Sequence, residues 1–243
     1  MPEDDGRLRH DAGLALAKLW GVDQGVRRGP KPKLTLDIIV DAALHIARED
    51  GLAVLSMAGV AEAVGCSKMA LYRHVSDRDD LLAAMLDTAI GDPPAIDGTW
   101  RERFTILWDA LQSLYARDTW LLDLPSDIDT LTPRNAAWID TGLHLFDTSA
   151  LPRPERLGAV HLITENARFV ARRQTTNPSP VDELDRLLST AASTGARLPR
   201  ERFPNLAALA ASGRSPQPVT LPEARVRDMM MRAIAPYFPA ETA

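Results

Sequence analysis

The chain has 243 residues, 45% of them apolar and 25% charged, with a formal net charge of −5. That length builds one large domain or two modest ones around a sizeable core. The net charge excludes a uniformly basic surface for nucleic acid or membrane, so anion binding must come from local patches. Cys66 is the only cysteine, which excludes an intrachain disulfide and predicts a reducing, cytoplasmic setting. The opening MPEDDGRLRH is acidic and lacks the apolar stretch of a signal peptide. No uncharged apolar run approaches the roughly 18–20 residues that span a bilayer.

Apolar residues recur at helical spacing nearly throughout, with no sustained alternation and no Gly-rich hairpin turn, so the fold is predicted to be all-α. Residues 1–26 read as a polar N-terminal extension with one short helical candidate, DAGLALAKLWG. The next segment, RRGPKPKL, holds prolines and a glycine that oppose a helix. Its four cations, Arg27, Arg28, Lys31 and Lys33, make a basic arm without an acid. TLDIIVDAALHIAREDG then predicts an amphipathic helix, capped by Thr35, with Asp37 in the first turn and Gly51 at its end. Ser56 caps a shorter piece, SMAGVAEAV, which Gly65 breaks, and Ser67 caps the next, KMALYRHV. Ser76 and Asp79 form an S-x-x-D capping box for a fourth helix, which runs to GDPP with Leu81, Leu82, Met85, Leu86 and Ala89 on its stripe. Beyond it, helices are predicted near 99–117, 133–148, 154–174, 180–194, 203–212 and 221–238. The last is marked by Thr220, Pro222 and Glu223.

Helix, short helix, glycine-containing turn, short helix is the helix-turn-helix order. With Leu71 and Val75 turned inward, Met69, Tyr72 and Arg73 lie on an outward arc, and Lys68 and His74 stand at its edges. A helix this short is marginal alone; held against the first helix, it projects into a DNA major groove. Ser67 and Lys68 near its start are placed to meet base edges or phosphates. Tyr72, His74 and Arg78 are placed to donate to phosphates, and the basic arm to follow the backbone or enter the adjacent minor groove. Residues 27–90 carry eight Lys or Arg against nine Asp or Glu, so a DNA-binding face there requires the acids to sit elsewhere.

The stretch IVDAALHIAREDGLAVLSMAGVAEAVGCSKMALYRHVSDRDDLL resembles the TetR family of bacterial transcriptional regulators. The resemblance runs from about Leu34 to Met85 and rests on GLAVLS, VAEAVG, LYRHV and the DLL that opens the fourth helix. It implies a homodimeric repressor that binds a near-palindromic operator and is released by a small molecule. Residues 27–80 would then bind DNA, and residues 81–243 would bind the effector and dimerise. Family members often carry a Thr-Arg pair early in the second helix, where Met57 and Ala58 stand here.

No helical zinc pattern, C-x-x-C, P-loop, G-x-G-x-x-G or G-x-S-x-G occurs, so neither an enzyme nor a cofactor is expected. Trp100, Phe104 and Trp108 recur at helical spacing, followed by Trp120 and Trp138. Such a set is either core or, in a ligand-binding domain, the lining of an apolar or aromatic pocket. Asn166, on the apolar face of helix 154–174, joins them as a candidate ligand contact. Leu157, Val160 and Thr164, with Val226, Met230, Ile234 and Tyr237, form stripes expected at a dimer interface. The alternative reading is a helical protein-interaction module that keeps the motif but reads no DNA.

Overall fold

The computed structural model describes residues 13–22, 34–124, 131–175, 201–205, 208 and 222–239, and among these it is all-helical. The basic arm, the helix expected at 180–194, most of that at 203–212 and the Thr220 cap lie outside the described residues. The chain runs through α1 (Leu14–Leu19), α2 (Leu36–Glu49), α3 (Met57–Ala63), α4 (Lys68–Leu71), α5 (Arg78–Ile90) and α6 (Trp100–Arg117). A short 3-10 helix (Thr119–Asp123) follows, then α7 (Pro133–His144), α8 (Arg153–Thr175) and α9 (Glu223–Ile234), which ends in a 3-10 turn (Ala235–Tyr237). No described helix is long and apolar enough to cross a membrane.

The first helices begin where side-chain oxygens can take up free backbone N–H groups. Thr35, Ser56 and Ser67 accept from Ile38, Gly59 and Ala70, each cap contributing about 1 kcal/mol. The fourth predicted start differs by one residue. Asp77, not Ser76, caps α5 by accepting from Asp80 N, while Asp80 turns back to accept from Ser76 N at 2.8 Å. Ser76 is thereby left free to accept from Leu14 N of α1.

Inward residues of α2 (Ile39, Ala43, Leu44) share one core with Leu71, Val75, Leu81 and Leu82. Leu71 and Val75 are fully buried, and burial of such a side chain stabilises by about 1.5–3 kcal/mol. α5 packs on α1 and α2 and also on α7, so it is buried almost all round. A domain boundary at 80/81 falls inside its first turn. α6 packs on α8, α9 and the 3-10 helix.

α1 is docked rather than free. The carboxylate of buried Asp80 accepts from Ala15 N at 2.9 Å and Leu16 N at 3.0 Å, capping the helix from a neighbouring element. The approach is so close that a Cβ on Gly13 would lie 2.0 Å from Asp80 Oδ1. Seven residues on, buried Asp87 does the same for α7, accepting from Arg134 N at 2.8 Å. α1 ends at Trp20, whose Nε1 donates to Leu131 O just before α7.

Candidate nucleic-acid interface and ligand cavity

α3 ends at Val64 and Gly65, where Gly65 takes φ +66°. Gly65 N donates to Glu62 O and Cys66 N to Ala61 O, a pair of bonds that closes a helix through a left-handed residue and favours glycine there. The chain is thus turned directly into α4, which is regular for only four residues and continues as turns through His74. Ser67, Lys68, Met69, Tyr72 and Arg73 are all exposed, Met69 by 75%, while Leu71 and Val75 hold the segment from behind. Two expected contacts are turned away from this face. His74 is half-buried, its Nδ1 3.4 Å from Lys18 Nζ of α1, and burial, aided by that cation, pushes its pKa down. Arg78 reaches back to Leu52 O at 3.4 Å. Of the acids that offset the cations here, Asp80 and Asp87 are buried and occupied in capping α1 and α7.

On the other side of α5 lies a cavity of about 650 Å³. Leu86 and Ile90 of α5, Leu107, Leu111 and Leu114 of α6, and Leu121 and Leu124 beyond it give an apolar lining. Trp138 and Ile139 of α7 and Val160 of α8 continue it. Tyr115, Asn135, His161, Thr164, Glu165 and Arg168 supply polar groups. The size and the mostly apolar wall suit a small organic ligand.

The cavity wall is tied to α2 through Asp118, which has no exposed surface. Its carboxylate accepts from Arg48 Nε of α2 at 2.7 Å, Arg117 Nε at 2.7 Å and Trp120 Nε1 at 3.2 Å. Arg117 also donates to Ala89 O of α5. Burial works to raise the Asp118 pKa, but the bonds and charge of Arg48, with those of Arg117 and Trp120, outweigh it and hold the carboxyl below the ordinary aspartate range. Arg168 donates to Leu122 O and Leu124 O and Arg172 to Leu122 O, fixing the same segment from α8.

Residues 39–85 match the model of bacterial regulatory proteins of the tetR family. The HTH-type transcriptional repressor DrrR1 of Streptomyces coeruleorubidus is 34% identical over 217 residues, spanning 88% of this chain and 78% of its own. The chain belongs to the TetR family. This TetR regulator, a DNA-binding transcriptional regulator, also shares its fold with apo ActR from Streptomyces coelicolor. That likeness has a TM-score of 0.65 and 25% identity, over 85% of this chain and 98% of ActR. ActR in complex with actinorhodin matches with a TM-score of 0.65 and 24% identity, over 88% of this chain and 100% of the other.

In this TetR regulator the aromatic series divides. Trp138 lines the cavity, its Nε1 donating to Gly91 O. The other four aromatic residues expected there do not. Trp100 stacks on Phe238 with centroids 4.5 Å apart, Phe104 stacks on Trp108, and Trp108 Nε1 donates to Glu223. Trp120 is buried on Asp118. The reason is that α6 is covered on two sides: its Trp100–Phe104–Trp108 face meets the C-terminal segment, and its leucine face meets the cavity. Asn166 is also away from the cavity, donating to Leu162 O within its own helix.

The stripes expected at a dimer interface divide as well. Val226 and Ile234 are buried, and Met230 packs against the same core, because α9 turns this face onto its own chain. Val160 is buried, and with Leu157 and Thr164 it borders the cavity. Of the expected stripe residues Leu157 (53%) and Tyr237 (42%) remain exposed, and further exposed apolar surface lies at Leu162 (59%), Phe169 (51%) and Met229 (54%). Sequence reasoning passed over Tyr115, Arg168, Arg48 and Asp118. Tyr115, at i+4 from Leu111 on the α6 stripe, had a readable signal, whereas the Arg48–Asp118 pair, 70 residues apart, had none.

Proposed function

We propose that this TetR regulator is a cytoplasmic repressor, without catalytic activity, that binds a near-palindromic operator as a homodimer and is released by a small apolar or aromatic ligand. Residues 27–80 bind DNA, with Ser67, Lys68, Met69, Tyr72 and Arg73 in the major groove and the arm along the backbone. Residues 81–243 hold the ligand and the dimer contacts. The observation that carries this reading is that one helix, α5, serves both regions: its start packs on α1 and α2, and its Leu86 and Ile90 border the cavity. The Asp118–Arg48 pair gives a second mechanical link, since Leu121 and Leu124 line the cavity a few residues from Asp118. ActR, which has been crystallised with actinorhodin, is a relative consistent with ligand control.

Ligand that fits better when α5 is displaced reorients the two reading heads, and by linkage DNA and ligand weaken each other by one factor. A coupling of about 1–3 kcal/mol, several-fold to hundred-fold in affinity, is typical. The test is selection of bound sequences from a random DNA pool, then titration of the selected operator with cavity ligands. Filling the cavity with Leu111→Trp is expected to preserve operator binding and abolish release. Release that persists in Leu111→Trp, or cavity ligands that all leave operator affinity unchanged, would refute the reading.

A further inference from the structure

The polar groups bordering the cavity are not equally available to a ligand. Trp138 spends its N–H on Gly91 O, and the Thr164 hydroxyl donates to Val160 O at 3.1 Å. Arg168 is held by two backbone carbonyls and lies 3.8 Å from Glu165, which balances its charge. Asn135 and His161 stand nearer solvent. Tyr115 is the exception: only 7% exposed, it borders the cavity, and its hydroxyl has no hydrogen-bond partner among the described residues. This hydroxyl is not one of the sealed-off polar atoms among the described residues, so at the cavity border it is open to a bound molecule that brings an acceptor.

We propose that the cavity takes a neutral, largely apolar molecule carrying a carbonyl oxygen, of the ring-ketone or quinone class, and that Tyr115 is the residue that reads that oxygen. The inference rests on the cavity being the effector site. The Tyr115 hydroxyl has a proton to give, and burial pushes its pKa up to about 12, so it stays a donor throughout the physiological range. With Arg168 already paired to Glu165, no net charge calls for an anion. The apolar walls of α5, α6 and α7 reject a polar body. An acceptor oxygen on a hydrocarbon frame satisfies this hydroxyl and leaves the paired groups undisturbed.

The probes are xanthone and xanthene, which share a tricyclic frame and differ by a carbonyl in place of a methylene. Their dissociation constants are measured by tryptophan quenching on the full-length protein. In wild type, xanthone is expected to bind about ten-fold tighter, the value of one buried hydrogen bond. In Tyr115→Phe that preference should collapse to about two-fold or less. Thermal melts of the variant check its fold, and the wild-type comparison of the two probes stands without it. Equal binding of both probes to wild type, or an undiminished preference in Tyr115→Phe, would overturn the inference while leaving the cavity a ligand site. Failure of both probes to bind wild type would overturn the cavity reading and the inference together.

Discussion

Asp118 carries a charge with no exposed surface, and three donors from three elements make that tolerable. A carboxyl whose native pKa lies below its unfolded value stabilises fully above the ordinary aspartate range of about 3.9, and loses that contribution as pH falls through the depressed value. Asp118→Asn leaves Arg48 and Arg117 without their counter-charge, but both are about half exposed and can be rehydrated. The expected cost at neutral pH is therefore about 1–3 kcal/mol, below that of a fully buried broken pair. Urea melts from pH 7 to 3 should show the variant losing less further stability than wild type on acidification, and parallel curves would refute the assignment. On the proposed DNA face, Tyr72 is exposed and is expected to donate to a phosphate rather than read a base, which Tyr72→Ala tests. Binding should weaken by a similar factor on selected and unrelated DNA in fluorescence anisotropy, and a loss confined to the selected operator would make Tyr72 a base reader instead.

At the scale of elements, the helix-turn-helix is legible because its signals are local. Thr35, Ser56 and Ser67 sit next to the helices they cap, and Leu71 and Val75 fix the orientation of α4 by spacing alone. The cavity and the inward faces of α6 and α9 are not legible in the same way. Which face of α6 or α9 turns inward is settled by partners such as Phe238 and Glu223, more than 100 positions from the residues they meet, and helical spacing is blind to them. The apolar surface left by that packing leads to a different dimer prediction from the one the stripes suggest. Leu162→Glu with Phe169→Glu should give monomers in sedimentation at micromolar concentration. Met230→Glu, on a side chain packed against the core, should instead lower the melting temperature. Dimers that survive the first pair would remove α8 from the interface.

For the molecule as a whole, α1, the described part of the N-terminal extension, is a structural member. α1 joins α5 through Asp80, reaches the recognition segment through Lys18 and His74, and meets the chain before α7 through Trp20. Gly13→Ala places a methyl group against the Asp80 carboxylate, and relief requires α1 to move away. The expected result is a loss of about 1–3 kcal/mol, as for other overpacked sites, with faster hydrogen exchange at Leu14, Ala15 and Leu16. Protection unchanged at those three amides would show that the contact yields without cost.

Asp80 and Asp87 sit seven residues apart on α5, and at 3.6 residues per turn that interval brings both carboxylates to nearly one azimuth. Each is committed to the start of a different helix, so the separation between them is a fixed gauge length. A single residue inserted between Leu82 and Met85 would swing Asp87 by about 100° relative to Asp80, and α1 and α7 could not both keep their caps. Point substitutions along α5 can be absorbed side chain by side chain, but a change in its length cannot. Among related chains, insertions and deletions should therefore cluster outside residues 80–87, leaving this interval as the constant against which the rest of the protein varies.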